Sequence, residues 1–458
     1  MSKQAAQNTT NQITEGVIWK QLLIFFFPIL FGTFFQQLYN TADAIIVGNF
    51  VGKEALASVG GSASTIINLL VGFFVGLSSG ATVIISQYYG ADNRRRVSDS
   101  VHTAIALAIA GGIVIMLLGL VSARFALTAM GTPDDILSLS LTYMKIYYLG
   151  TIPSMIYNMG SGILRAVGDS KRPLYFLIAS CLVNIVLDLL FVAVLGMGVT
   201  GAAIATIASQ FFSAILTLIA LLRTQDSYRL IVSKIRFHRD LLFDIIKIGL
   251  PAGLQSAMYS ISNLLIQSSI NSFGSVIVAG NSAASNLEGF IYTGMNAFAQ
   301  AAVTFTSQNI GARRYDNLDR VMRNCLLCAV GVGAVLGGGA YLCGESLLHF
   351  YSSDPAVIAA GLARMEIICT FYFVCGCMDT LASGLRGRGY SVLPMVVSLV
   401  GSCLLRVVWV ATIFQTFHTT TVLYLSYPVS WALTAAAHLV CLLVVRRKTQ
   451  QQLEAGTL

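Results

Sequence analysis

Residues 28–52 read PILFGTFFQQLYNTADAIIVGNFVG, and the fold of the chain turns on them. Phe34, Phe35, Leu38, Ile45 and Ile46 make the stretch apolar enough for lipid, yet Asp43 stands in its middle. On a helix, Gln36, Asn40 and Asp43 follow at i, i+4 and i+7 and share one face. Gln37 and Tyr39 flank that stripe. A charged side chain at mid-bilayer costs roughly 2.5–3.5 kcal/mol on insertion scales. A carboxylate kept there points to function, facing a cavity or a partner rather than lipid. The bland alternative is an Asp near a membrane surface, or one satisfied by Asn40 and Gln36 alone.

Outward from this stretch, apolar runs recur through all 458 residues. Hydrophobic residues make up 56% and charged residues 10%, with a mean hydropathy of +0.75. Soluble domains carry about 25% charged residues, so the composition excludes a water-soluble fold. It implies an all-α membrane protein of many spans. Residues 1–17 are polar and lack the basic start and cleavage site of a secretory leader, so the first span is expected to act as the insertion signal. The nine cysteines lie almost wholly in apolar runs. Cys325-x-x-Cys328 and Cys375-x-Cys377 lack the histidines or second pair of a structural zinc site, so they read as packing residues. No cofactor is implied.

Runs near the ~20 residues that cross a bilayer fall at 20–48, 54–86, 98–122, 136–163, 173–195 and 199–222. They resume at 242–271, 276–307, 321–343, 357–384, 392–415 and 420–444. That makes twelve spans, with Pro28, Pro153 and Pro251 as candidate kinks. Of the 28 basic residues, 23 fall on one side of this arrangement. The excess of basic loops puts that side, with both termini, in the cytoplasm of a cell whose inner (plasma) membrane holds the chain. Net charge +8 is therefore loop basicity rather than a nucleic-acid footprint.

The halves repeat. Pro28 and Asn40 recur twelve residues apart as Pro251 and Asn263; Ser86-Gln87-x-x-Gly90-Ala91 recurs as Ser307-Gln308-x-x-Gly311-Ala312. Leu164-Arg165-x-x-Gly168-x-Ser170-x-x-Pro173 recurs as Leu385-Arg386-x-x-Gly389-x-Ser391-x-x-Pro394. Three echoes in order imply duplication. Six spans separate equivalent points, so the pseudo-twofold axis runs along the membrane normal. The expected division is a polar cytoplasmic N-terminus (1–17), an N-lobe (18–223), a cytoplasmic linker (224–241), a C-lobe (242–445) and a cytoplasmic tail (446–458). The basic, amphipathic part of the linker is expected on the inner membrane surface, and the tail after Lys448 is expected to be disordered.

With its two six-helix lobes, SQxxGA and LRxxGxSxxP turns and N-x-x-D in the first span, the chain resembles multidrug and toxic compound extrusion (MATE) transporters over nearly its whole length. The YNTAD-x-x-x-VG stretch looks most like the branch named for DNA-damage-inducible protein F. The resemblance implies an antiporter, not an enzyme. It would move amphipathic, often cationic, compounds outward through a V-shaped cavity between lobes, driven by inbound protons or sodium. The chain is expected to act as a monomer in the bilayer.

Asn184 and Asp188 share a face of the fifth span at i and i+4, and Thr206 of the sixth could add a hydroxyl oxygen. Asp43, Asn184, Asp188 and Thr206 match the N-lobe pattern of MATE relatives, with Asn40 beside them; the same four oxygen-bearing residues would ligate sodium if sodium is the coupling ion. The repeat makes the site one-sided, because Asp43 corresponds to Ile266, Asp188 to Trp409 and Asn184 to Leu405. Other candidates for the substrate cavity are Gln36, Tyr39, Tyr157, Gln255, Tyr259, Asn263, Glu288 and Asp379. Phe35, Met258, Tyr292 and Met295 are further candidates to meet flat cations. Asp379 matches one acid of a C-lobe sodium site found in some relatives, but the seventh span has no acid near Met258 or Tyr259. Arg364 with Glu366, and Arg406, read as near-surface or paired structural charges.

The expected mechanism is alternating access, with Asp43 discharged by the inbound ion so that the first span bends near Pro28 and Gly32. The contrasting reading is a lipid-linked oligosaccharide flippase of the same wider superfamily. It is disfavoured because most basic residues are in loops. An enzyme or channel fits less well still: there is no His/Cys metal set, nucleophile elbow or phosphate-binding glycine loop.

Overall fold

The computed structural model describes the backbone of residues 12–52, 55, 58–59 and 62–456, and their side chains except at 12, 39–41, 44–45 and 62. The side chains of Tyr39 and Asn40, with Lys53 and residues 1–11, lie outside the described residues. Every regular element among the described residues is a helix. A short helix, Gln12–Glu15, precedes the first span, Ile18–Phe50. Then come Ser62–Gly90, Arg94–Ala129, a fourth span in two pieces (Asp134–Leu149 and Thr151–Ala166), Lys171–Asp188 and Gly198–Arg223. The C-lobe runs Arg239–Asn271, Ser275–Gly311, Tyr315–Leu342, Pro355–Gly387, an eleventh span from Val392, and Thr420–Glu454. Ten of these are long and apolar enough to cross a membrane by composition alone. The remaining two of the twelve are the broken fourth and the eighth, whose Ser, Asn and Gly residues dilute its hydropathy.

Pro28 and Pro251 sit inside unbroken helices. The marked irregularities fall elsewhere. The fourth span breaks at Gly150, and Pro153 occupies the first turn of the second piece, where its missing N–H costs nothing. Thr151 Oγ1 donates to Gly112 O (3.2 Å) and Tyr148 O (2.7 Å), fixing the break against the third span. The fifth span widens into a π-helix, Leu189–Val194, directly after Asp188. The eleventh does so over Leu399–Leu404. Single π-turns inside α-helices recur at functional sites.

The duplicated SQxxGA turns join the lobes. Ser86 Oγ donates to Ala166 O and Ser307 Oγ to Gly387 O, each at 3.0 Å within its own lobe. The glutamines cross over: Gln308 Nε2 donates to Ala166 O (2.6 Å) and Gln87 Nε2 to Gly387 O (3.4 Å). Gly90 lies against the backbone of Gln308, and Gly311 against that of Gln87, so neither position has room for a side chain. Serine ties the motif to its own lobe, glutamine to the other, and glycine lets the backbones touch. Higher up, Gly76 meets Gly253 and Gly80 meets Gly249 backbone to backbone, the close approach that small residues permit in membranes. The pseudo-symmetric pair of spans is joined by rings instead, Phe26 stacking on Phe298 at 3.9 Å.

The linker is a strap packed on the third span: Tyr228 and Leu230 are buried, and the Ile231 and His238 N–H groups donate to His102 Nε2 and Thr103 Oγ1. Its alternation of apolar and basic residues suits an extended strap with one face inward. One expectation is corrected: the tail after Lys448 is helical instead of disordered as far as Glu454, where the last helix ends.

Candidate functional site

A cavity of about 500 Å³ opens inside the N-lobe, bounded by the first, second, fourth, fifth and sixth spans. The C-lobe adds only Asn286 to its lining, so the cavity belongs to one lobe rather than to the cleft between two. Gln36 and Asp43 come from the first span and Thr206 from the sixth. The break at Gly150 lets both pieces of the fourth span contribute, Tyr143 and Tyr147 before it, Ser154, Tyr157 and Asn158 after it. Most lining side chains are amides or hydroxyls. Among the described residues of the wall, Asp43 is the one carboxylate, and none is Lys or Arg.

Asp43 separates this cavity from a second layer. Its carboxyl faces that of Asp188, and Asn184 lies one turn before Asp188 on the same helix face. Asp43 is 8% exposed, whereas Asn184 and Asp188 are wholly buried. Ionised carboxyls are acceptors only. The Asn184 amide lies beside the Asp188 carboxyl, yet neither it, Asp43 Oδ1 nor the Asp188 oxygens complete a well-formed hydrogen bond. Buried polar groups are rarely left so. Two facing carboxylates with a neutral amide beside them, and no basic side chain paired to either among the described residues, call for a proton or a cation between them. The structure thus brings Asp43, Asn184 and Asp188 together, with Thr206 on the adjoining wall. Of the bland alternatives, satisfaction of Asp43 by Asn40 and Gln36 alone leaves Oδ1 unaccounted for, since that oxygen is buried and unpartnered.

The C-lobe candidates are elsewhere, and none of them lines this cavity. Glu288 is not a cavity residue: Arg364 grips it with two hydrogen bonds of 2.8 Å and reaches Asn281 at 2.6 Å. A carboxylate buried on the eighth span persists because it is paired. The partner is thus Glu288 rather than Glu366, which is exposed. Arg406 is neither near the surface nor ion-paired. It is 3% exposed, donates to Ser430 Oγ (2.9 Å) and Asn263 Oδ1 (3.3 Å), and lies 4.3 Å from the Tyr427 ring. Asn263 is thereby a partner of this arginine instead of a cavity ligand. Gln255 accepts from Arg386 and donates to Ser398 Oγ, both at 2.9 Å, beside a separate pocket of about 200 Å³ that Met258 also borders. Tyr259 reaches Met378 Sδ, and Asp379 takes the Tyr292 hydroxyl. Met295 is buried in the C-lobe core instead of facing the other lobe.

A family model for MatE matches residues 28–190 and again 251–412, one match in each half of the duplication. This chain belongs to the MatE family. Its members are multidrug efflux transporters and not enzymes. The chain is 29% identical over 393 residues to the probable multidrug resistance protein YpnP of Bacillus subtilis, covering 86% of this chain and 88% of that protein. It is 27% identical over 396 residues to the probable multidrug resistance protein NorM of Thermotoga maritima, covering 84% and 83%. An outward-facing multidrug resistance MATE transporter of the MOP superfamily superposes with a TM-score of 0.88 at 21% identity, over 97% of this chain and 99% of that one. At that identity the superposition speaks for the fold alone.

Within this MATE fold, the sequence reading missed most of the cavity wall. Ser180, Asn184 and Asp188 are successive steps of four, and Thr206, Ser209 or Gln210, and Ser213 make a stripe down the sixth span. Ser154 and Asn158 repeat that spacing on the fourth. Extending the polar face found around Asn184 one turn back, and tracing the same period on its neighbours, would have found them.

Proposed function

We propose that this chain is a secondary antiporter, exporting amphipathic cationic compounds from the N-lobe cavity in exchange for a proton or sodium ion taken up by Asp43, Asn184, Asp188 and Thr206. One observation carries the reading: buried carboxyls face each other with no basic side chain paired to either among the described residues, and one of them is also a wall of the cavity. A cation between them satisfies both, and a cationic substrate beside Asp43 competes for the same charge. That competition is how an antiporter ties two fluxes together. The lobes are joined at the end where basic residues gather. With the basic end in the cytoplasm, the described state is closed inward, and the crossing glutamines must part before the cavity can load from inside. A flippase for lipid-linked pyrophosphates wants a cationic cavity, and this one has a carboxylate with no Lys or Arg among the described residues of its wall.

The test is ethidium efflux from vesicles under separately imposed pH and sodium gradients. Efflux driven by one gradient and abolished in Asp188→Asn is the expected result. Efflux indifferent to both gradients would sink the antiport reading.

A further inference from the structure

The cavity wall has a polarity of its own, carried by the direction of its hydrogen bonds. A serine or threonine hydroxyl has one hydrogen to give and two lone pairs to receive. On this wall the hydrogens are spent on backbone carbonyls. Thr206 Oγ1 donates to Ala202 O (3.0 Å), Ser209 Oγ to Thr206 O (2.7 Å) and Ser213 Oγ to Gln210 O (2.9 Å). Ser180 Oγ donates across to Ser209 O at 2.7 Å. All four residues are more than nine-tenths buried, and all four line the cavity. The oxygens therefore face the cavity with lone pairs only. Gln210 Oε1 is a buried acceptor with no partner, and Asp43 adds carboxylate oxygen. Side-chain amides and the hydroxyls of Tyr143 and Tyr147 elsewhere on the wall offer donors and acceptors alike, and Tyr157 gives its hydrogen to Pro173 O (3.4 Å), so the excess along the fifth and sixth spans stands.

From this surplus of acceptors we propose that the cavity selects cations that carry N–H donors, such as protonated primary amines, amidines and guanidines, over cations of equal charge that carry none. Charge alone would not distinguish the two, because Asp43 attracts either. A quaternary ammonium or a phosphonium desolvates the hydroxyl and amide oxygens and returns no hydrogen bond, and unpaired buried acceptors are costly. An ammonium with three donors satisfies Asp43 and two wall oxygens together. The inference rests on the N-lobe cavity being the cation-binding site, and it adds which cations.

The test uses the full-length protein purified in detergent and a matched pair of probes, a dansylated propylammonium and its trimethylammonium analogue. Equilibrium binding is read by dansyl fluorescence. The primary amine is expected to bind at least about tenfold tighter, the value of one retained hydrogen bond to a charged group. The double variant Ser209→Ala/Ser213→Ala loses wall acceptors whose only bonds are to their own helix, and should bring that ratio down by severalfold with an unchanged melting temperature. Thr206→Val, which keeps the shape, should move it the same way. Equal affinity for the two probes, tighter binding of the quaternary one, or binding of neither would overturn the inference. Selectivity in binding with no gradient-driven efflux in vesicles would uphold it while sinking the antiport reading.

Discussion

The two lobes come from one duplicated scaffold and have opposite interiors. In the N-lobe, carboxyls on the first and fifth spans face each other with no basic partner among the described residues, behind a polar cavity. In the C-lobe, Glu288 is paired with Arg364, and Arg406 is held by Ser430, Asn263 and the Tyr427 ring. Where one half repeats the other, the motifs that hold the lobes together stay matched to the hydrogen bond. The charges do not. The acids of the first and fifth spans have no counterpart in the C-lobe, where Ile266 and Trp409 stand, and this one-sidedness supports the proposal that they serve transport while the Glu288–Arg364 pair serves structure.

This contrast breaks most visibly at its two poles. Asp43→Asn or Asp188→Asn should abolish gradient-driven efflux in vesicles while leaving the melting temperature equal or raised, since a neutral amide relieves a facing pair of like charges. Glu288→Gln should do the reverse. It leaves Arg364 buried without its counter-charge, a loss of about 3–5 kcal/mol by analogy with other broken buried pairs, read as a lowered melting temperature in detergent. Replacing both partners with apolar residues, Glu288→Leu with Arg364→Met, should recover most of that loss. Preserved gradient coupling in the surviving folded fraction of Glu288→Gln would sharpen the division of labour.

Smaller effects test the seam. Gln308→Ala removes the shorter of the two crossing hydrogen bonds and should destabilise the inward-closed form by about 1 kcal/mol, seen as faster modification of an engineered cysteine on the Gln87 side. Gln87→Ala, whose bond is 3.4 Å long, should do less. Equal effects from the pair would show that the seam is more symmetric than the distances imply. At the bottom of the scale, Lys145→Ala on the exposed face of the fourth span should change stability by no more than about 0.5 kcal/mol.

Much of this was legible in the sequence because it rests on periodicity. Twelve apolar runs, basic loops and three echoed motifs specify spans and duplication, and steps of four residues place Gln36 and Asp43, or Asn184 and Asp188, on common faces. The grouping of Asp43 with Asp188 across two spans comes from their match to the N-lobe pattern of MATE relatives, and the repeat then shows that the second half lacks both acids. What stayed hidden depends on geometry between helices. The break at Gly150 leaves no hydropathy signal, and it is what admits both pieces of the fourth span to the cavity. The π-turn after Asp188 is equally silent, being made of ordinary apolar residues. Arg364 and Arg406 read as surface or paired charges because no spacing within a helix reveals a partner on another one. For the same reason Glu288 looked like a cavity ligand until its arginine was seen.

The most direct measurement of the central claim compares Asp188→Asn with Asp379→Asn in vesicles, recording substrate efflux driven by an ion gradient beside substrate exchange with no gradient. The account predicts that Asp188→Asn keeps exchange and loses the response to the gradient, while Asp379→Asn keeps both. Full gradient-driven efflux by Asp188→Asn, or its loss in Asp379→Asn alone, would contradict it.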